Sequence, residues 1–163
     1  MPSRTRIARL LVLTVLGFGL AGALASAPAA TAAAYTVTKT TDTNDGVCDA
    51  DCSLREAVAA ANAAPNPDTI TLPPGIYLIT GIEISLTSPI TLTGALSTTT
   101  IIASRGWNAG TLYVPAGGLA VIANVTLMGG DNTFGGGLSN AGTLTLVDSI
   151  VRHNTGVVAG GIV

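Results

Sequence analysis

Two hydrophobic periods divide this chain, and the change from one to the other falls at a pair of prolines. From Ser53 to about Asn62 the apolar positions Leu54, Ala57, Val58 and Ala61 recur at i, i+3, i+4 and i+7, one narrow helical stripe. Ser53-Leu54-Arg55-Glu56 starts that helix as a capping box: the Ser53 hydroxyl accepts from the Glu56 amide, and the Glu56 carboxylate reaches back to the Ser53 amide. Pro65 and Pro67 forbid its continuation. Before it, Tyr35-Thr36-Val37-Thr38-Lys39 alternates as a strand. After it the period falls to two, in short runs such as Ile70-Thr71-Leu72, Ile82-Glu83-Ile84-Ser85-Leu86, Ile90-Thr91-Leu92 and Leu144-Thr145-Leu146-Val147. Gly and Pro clusters break these runs, and no helix intervenes between them, which excludes a doubly wound α/β sheet.

An antiparallel sandwich and a parallel β-helix both accommodate such strands, and a fixed interval decides between them. Gly136-Gly137-Leu138 returns as Gly160-Gly161-Ile162, and Asn124-Val125-Thr126-Leu127 aligns with Asp148-Ser149-Ile150-Val151, both 24 residues on. A parallel coil repeats this way because residues one turn apart stack at about 4.8 Å. The predicted fold is therefore all-β, a parallel β-helix with one short N-terminal helix capping its open apolar end. About 95 residues follow the helix, room for roughly four coils. The interval is weak before Gly110. The last matched triplet ends one residue before the C-terminus, so the chain is expected to stop in mid-repeat as a piece of a longer protein. Its last layer would then be open to end-to-end self-association.

Residues 1–34 have the layout of a cleavable signal-peptide helix. Arg4, Arg6 and Arg9 precede an apolar run from Leu10 to Leu24, and Ala30-Thr31-Ala32 and Ala32-Ala33-Ala34 offer A-x-A cleavage patterns. That run holds about 15 residues, short of the ~20 a spanning helix needs. Residues 35–67 then form the capping region and 68–163 the coils. Without the leader, four cations face nine carboxylates, a net charge of −5 that argues against nucleic acid and anionic membrane as partners. The destination is extracellular or the cell surface. In that oxidising setting Cys48 and Cys52, the only cysteines, are expected to pair with each other. No His lies nearby to complete a zinc site, and C-x-x-x-C is not the thioredoxin spacing.

Chemistry is thinly spread. Asp42, Asn44, Asp45, Asp49 and Asp51 form an acidic loop of hard oxygen donors suited to calcium, but their spacing is not that of an EF-hand. Arg55 is expected to pair with one of these aspartates. Trp107 and Tyr113 offer a platform for stacking sugar rings. His153, the only histidine, sits in an expected turn with no nucleophile motif around it. After the helix the charged residues are Asp68, Glu83, Asp131 and Asp148 with Arg105 and Arg152, and no catalytic constellation stands out among them.

Cys52-Ser53-Leu54-Arg55-Glu56-Ala57 spells the signature of the CSLREA-domain proteins, and Asp68-Thr69-Ile70-Thr71-Leu72-Pro73-Pro74-Gly75-Ile76-Tyr77 resembles the stretch that opens many right-handed parallel β-helices of the pectin-lyase-like superfamily. The resemblance covers about Tyr35 to Val163. It implies a right-handed coil and an exported bacterial surface or secreted protein, and it supplies no catalytic residue. Residues and resemblance together predict a non-catalytic β-helix for adhesion, scaffolding or contact with glycans or other surface proteins. The alternative is a polysaccharide lyase or glycoside hydrolase on the same fold.

Overall fold

The computed structural model describes residues 31–106 and 109–163. The expected signal-peptide helix and Trp107 fall outside the described residues.

Ala34–Thr36 (β1) leads through the acidic loop to the helix Leu54–Asn62 (α1). Three layers of strands follow: Asp68–Leu72 (β2), Gly75–Thr80 (β3) and Ile84–Ser85 (β4); Ile90–Gly94 (β5), Thr100–Arg105 (β6) and Leu112–Val114 (β7); Leu119–Ala123 (β8), Thr126–Met128 (β9), Asp131–Asn132 (β10) and Leu138–Asn140 (β11). Thr143–Val147 (β12), Ile150–Arg152 (β13) and Thr155–Gly156 (β14) begin a fourth. All named strands pair in parallel, in sheets ordered β1-β2-β5-β8-β12, β3-β6-β9-β13, β4-β7-β11 and β10-β14. This is a parallel β-solenoid.

Each sheet turns one face inward, and equivalent residues of successive layers stack as apolar ladders. Ile70, Leu92, Ile122 and Leu146 form one, Tyr77, Ile102, Leu127 and Val151 a second, and Ile84, Leu112, Leu138 and Ile162 a third. In the first three layers these side chains are almost fully buried and belong to the core, whereas Ile162 is 43% exposed. Leu146 and Val151, in the edge strands β12 and β13, are only partly covered. On the outer face Thr36, Thr71 and Thr93 line up as a hydroxyl ladder.

The interval of 24 holds where the sequence repeats: Leu119 pairs with Thr143, Thr126 with Ile150, Asp131 with Thr155 and Leu138 with Ile162. Asn124 and Asp148 are both left-handed, at φ of 58° and 45°, and so are Gly129 and His153, at 72° and 52°. The turns therefore stack as the strands do, and His153 lies in a turn. A Cβ on Gly136 would meet the backbone oxygens of Thr155, Gly130 and Gly160, so the recurring Gly-Gly step marks where backbones of neighbouring layers touch. Earlier layers depart from 24. Asp68 pairs 22 residues on with Ile90, Ile90 pairs 30 on with Ala120, and Ile84 pairs 28 on with Leu112. Turn length varies while the inward positions stay aligned, which hides the repeat in that half.

Helix α1 plugs the first layer, lying on β1, β2 and β4 with Leu54, Ala57, Val58 and Ala61 buried. The fold reaches back beyond the expected boundary at residue 35. Ala34 pairs with Thr69, and the Ala33 carbonyl accepts from the Thr69 amide at 2.9 Å.

Candidate functional site

The capping region is tied together by one carboxylate. The Ser53 hydroxyl accepts from the Glu56 amide at 3.1 Å, and Glu56 Oε2 accepts from the Ser53 amide at 2.7 Å, completing the capping box. Glu56 also holds the acidic loop: its Oε1 accepts from the Asp45 amide and the Thr43 hydroxyl, both at 3.1 Å. Burial opposes its charge, but these hydrogen bonds outweigh burial and bring the Glu56 pKa down to about 2. Arg55 grips Asp42 through two nitrogens, at 2.7 and 2.9 Å, and donates to the Ile82 carbonyl at 2.9 Å. Asp42 also accepts from the Thr80 amide at 2.7 Å. Burial works against the Asp42 carboxylate too, yet Arg55 and Thr80 hold it below the ordinary carboxylate range. Cys48 and Cys52 are joined, with Cα atoms 4.5 Å apart.

Of the five oxygen-donor residues expected to suit calcium, the four aspartates have different partners. Asp42 faces Arg55, Asp51 pairs with Lys39 at 3.0 Å, and Asp45 and Asp49 accept from the amides of Val47 and Asp51 two residues on. Among the described residues no group of three or more His, Cys, Asp or Glu side chains gathers as a metal centre. Local turn geometry thus takes up one oxygen each of Asp45 and Asp49.

A cleft opens instead along the β4-β7-β11 sheet, with a volume of about 310 Å³. Ser85, Tyr113 and Ser139 stack through the three layers, and Tyr113 lies on the cleft wall. Adjoining strands and turns bring Glu83, Asn132, Phe134 and Asn140 to the same hollow. Phe134 is 60% exposed. Glu83 Oε2 accepts from Asn132 Nδ2 at 2.9 Å, across 49 residues of chain. Half-burial raises the Glu83 pKa above its ordinary value, and the Asn132 bond only partly offsets this. Glu83 also lines a smaller cleft of about 200 Å³ beside α1, with Arg55, Asn62 and Ile82.

Aromatic faces beside amide and carboxyl groups suit a ligand with apolar ring faces and hydroxyl edges. Of the two residues expected to form a sugar platform, Tyr113 lines this cleft, with Phe134, Glu83, Asn132 and Asn140 around it. Glu83 was visible in the sequence only as one of four late acidic residues. Phe134 and the two asparagines gave no periodic signal. Asp131, another of the late acidic residues, is in register with Thr155.

Compared with models of known families, with curated proteins and with solved structures, the chain gives no significant match. Among the described residues no helix is long and apolar enough to cross a membrane.

Proposed function

We propose that this protein is an exported, non-catalytic β-solenoid of the CSLREA type that contacts glycans through the cleft at Tyr113. The observation that carries the reading is one hollow in which the half-buried Tyr113 and the exposed Phe134 stand beside Glu83, Asn132 and Asn140. The Cys48–Cys52 disulfide supports an oxidising destination. Flat parallel sheets with threonine ladders offer a docking face, and the cleft gives it a point of recognition.

The test is affinity electrophoresis or calorimetry against neutral and acidic polysaccharides. Tyr113→Ala should weaken binding at least about tenfold, as loss of a central aromatic anchor does. Glu83→Gln should alter binding while leaving stability within about 0.5 kcal/mol, because the Gln oxygen still accepts from Asn132. Binding that survives both substitutions, or no binding to any polysaccharide, sinks the reading.

The rival is hydrolysis, and the raised Glu83 pKa is the observation in its favour, since a general acid must hold its proton. Glycoside hydrolysis by the usual route needs a pair of Asp or Glu side chains, and Glu83 is the one acidic side chain among the described residues lining the cleft. Incubation with acidic polysaccharides, with and without calcium, separates the two. New reducing or unsaturated ends would establish an enzyme.

A further inference from the structure

One inward column breaks the apolar rule. Ile90, Ala120 and Leu144 stack in register along β5, β8 and β12, but the layer before them carries Asp68. Asp68 is 1% exposed. Its amide donates to the Pro89 carbonyl at 3.0 Å, and its Oδ1 accepts from the Ala33 amide at 2.7 Å. Its Oδ2 is buried without a hydrogen-bond partner among the described residues. A carboxylate at an apolar position with one oxygen unmatched is costly unless a cation reaches it. The cations of the capping region are engaged elsewhere, Lys39 with Asp51 and Glu56, and Arg55 with Asp42.

The nitrogen already touching Asp68 belongs to the residue after an A-x-A cleavage pattern, Ala30-Thr31-Ala32. We propose that export processing cuts between Ala32 and Ala33, and that the α-ammonium so released closes on the Asp68 carboxylate, fastening β1 to the solenoid. A leader peptidase adds water across the Ala32–Ala33 peptide bond. The hydroxyl stays on the Ala32 carbonyl carbon, and the Ala33 nitrogen keeps a hydrogen, gains the second hydrogen of the water and takes up a proton at neutral pH. One amide hydrogen becomes three ammonium hydrogens, enough to serve both carboxylate oxygens. The other pattern, Ala32-Ala33-Ala34, would place the cut before Tyr35. That cut removes the Ala34–Thr69 pair, the Ala33–Thr69 hydrogen bond and the hydrogen bond from Ala33 to Asp68. Thr31 and Ala32 are exposed and Ala33 is half-buried, so the fold takes hold of the chain at the residue the cut would free.

The inference rests on export through a cleaved leader and is independent of the glycan cleft. The test begins with the full chain expressed with its own leader in a secreting bacterial host, followed by N-terminal sequencing and intact mass. A new terminus at Ala33 is expected. A terminus at Tyr35 or elsewhere overturns the proposal and leaves export standing, whereas an unprocessed chain overturns both. Next, unfolding of the chain starting at Ala33 is compared with one retaining Ala32, each with Asp68 and with Asp68→Asn. Retaining Ala32 moves the charge away and should lower the folding constant at least about tenfold with Asp68, and by much less in the Asp68→Asn background. An equal loss in both backgrounds overturns the ion pair. A second measurement avoids a variant that fails to fold: in the mature protein the Ala33 amine should be acylated at least about tenfold more slowly than in urea, followed on the N-terminal peptide. Equal rates overturn it.

Discussion

Replacing Glu56 by Gln tests the claim that one buried carboxylate holds both the helix start and the acidic loop. Glu56 is 1% exposed, and its oxygens accept from Ser53, Asp45 and Thr43 and lie 3.5 Å from Lys39 Nζ. A Gln oxygen can keep Asp45 and Thr43. Its NH₂ then stands where Oε2 stood, facing the Ser53 amide, a donor against a donor. Losing a charge-assisted hydrogen bond while orphaning a buried amide costs about 2–4 kcal/mol. Linkage gives a similar figure. A fall from the ordinary 4.5 to about 2 corresponds to roughly 3 kcal/mol at neutral pH. For a domain of about 130 residues that lowers Tm by on the order of 10 °C.

The sign with pH is fixed by the direction of the shift. The folded pKa lies below the unfolded one, so the stabilisation is complete above about 4.5 and is lost as pH falls toward about 2. Gln does not titrate. Urea melts of the leaderless chain and of Glu56→Gln at pH 7 and pH 2 should therefore show a gap of about 3 kcal/mol that shrinks in acid. The other carboxylates cancel in the difference. A gap under about 0.5 kcal/mol at pH 7, or one that stays constant down to pH 2, refutes the reasoning.

Three further outcomes follow from the same geometry. Arg55→Ala should cost about 2–4 kcal/mol in urea melts, because it strands Asp42, whose side chain is 2% exposed, and releases Ile82; Arg55→Lys should recover only part, lacking the two-nitrogen grip. Reducing Cys48–Cys52, or replacing both with Ser, should cost about 2 kcal/mol or less, since the ring closed by four residues of separation is small. Gly136→Ala should destabilise far more than the few tenths typical of a surface change, because its Cβ meets three backbone oxygens of adjoining chain; a melt unchanged within about 0.5 kcal/mol would contradict the stacking of the glycine turns.

The sequence by itself determined the features that depend on near neighbours. The capping box, the buried stripe of α1, the disulfide across four residues and the strand alternation each rest on spacings of a few positions, where backbone geometry fixes which side chains meet. It also carried the layer register in the C-terminal third, where Asn124 to Gly137 and Asp148 to Gly161 keep one turn length. Only the tertiary structure decided the rest. In the earlier layers turns of unequal length bring Asp68 to Ile90, Ile90 to Ala120 and Ile84 to Leu112, so no single interval shows in the letters. The cleft draws Glu83, Tyr113, Asn132 and Phe134 from three layers, and the Asp42 carboxylate that looked like a metal ligand met Arg55 instead. The physical reason is the same in each case. Contacts across layers depend on how much chain each turn consumes, and packing of the inward aliphatic ladders sets that length.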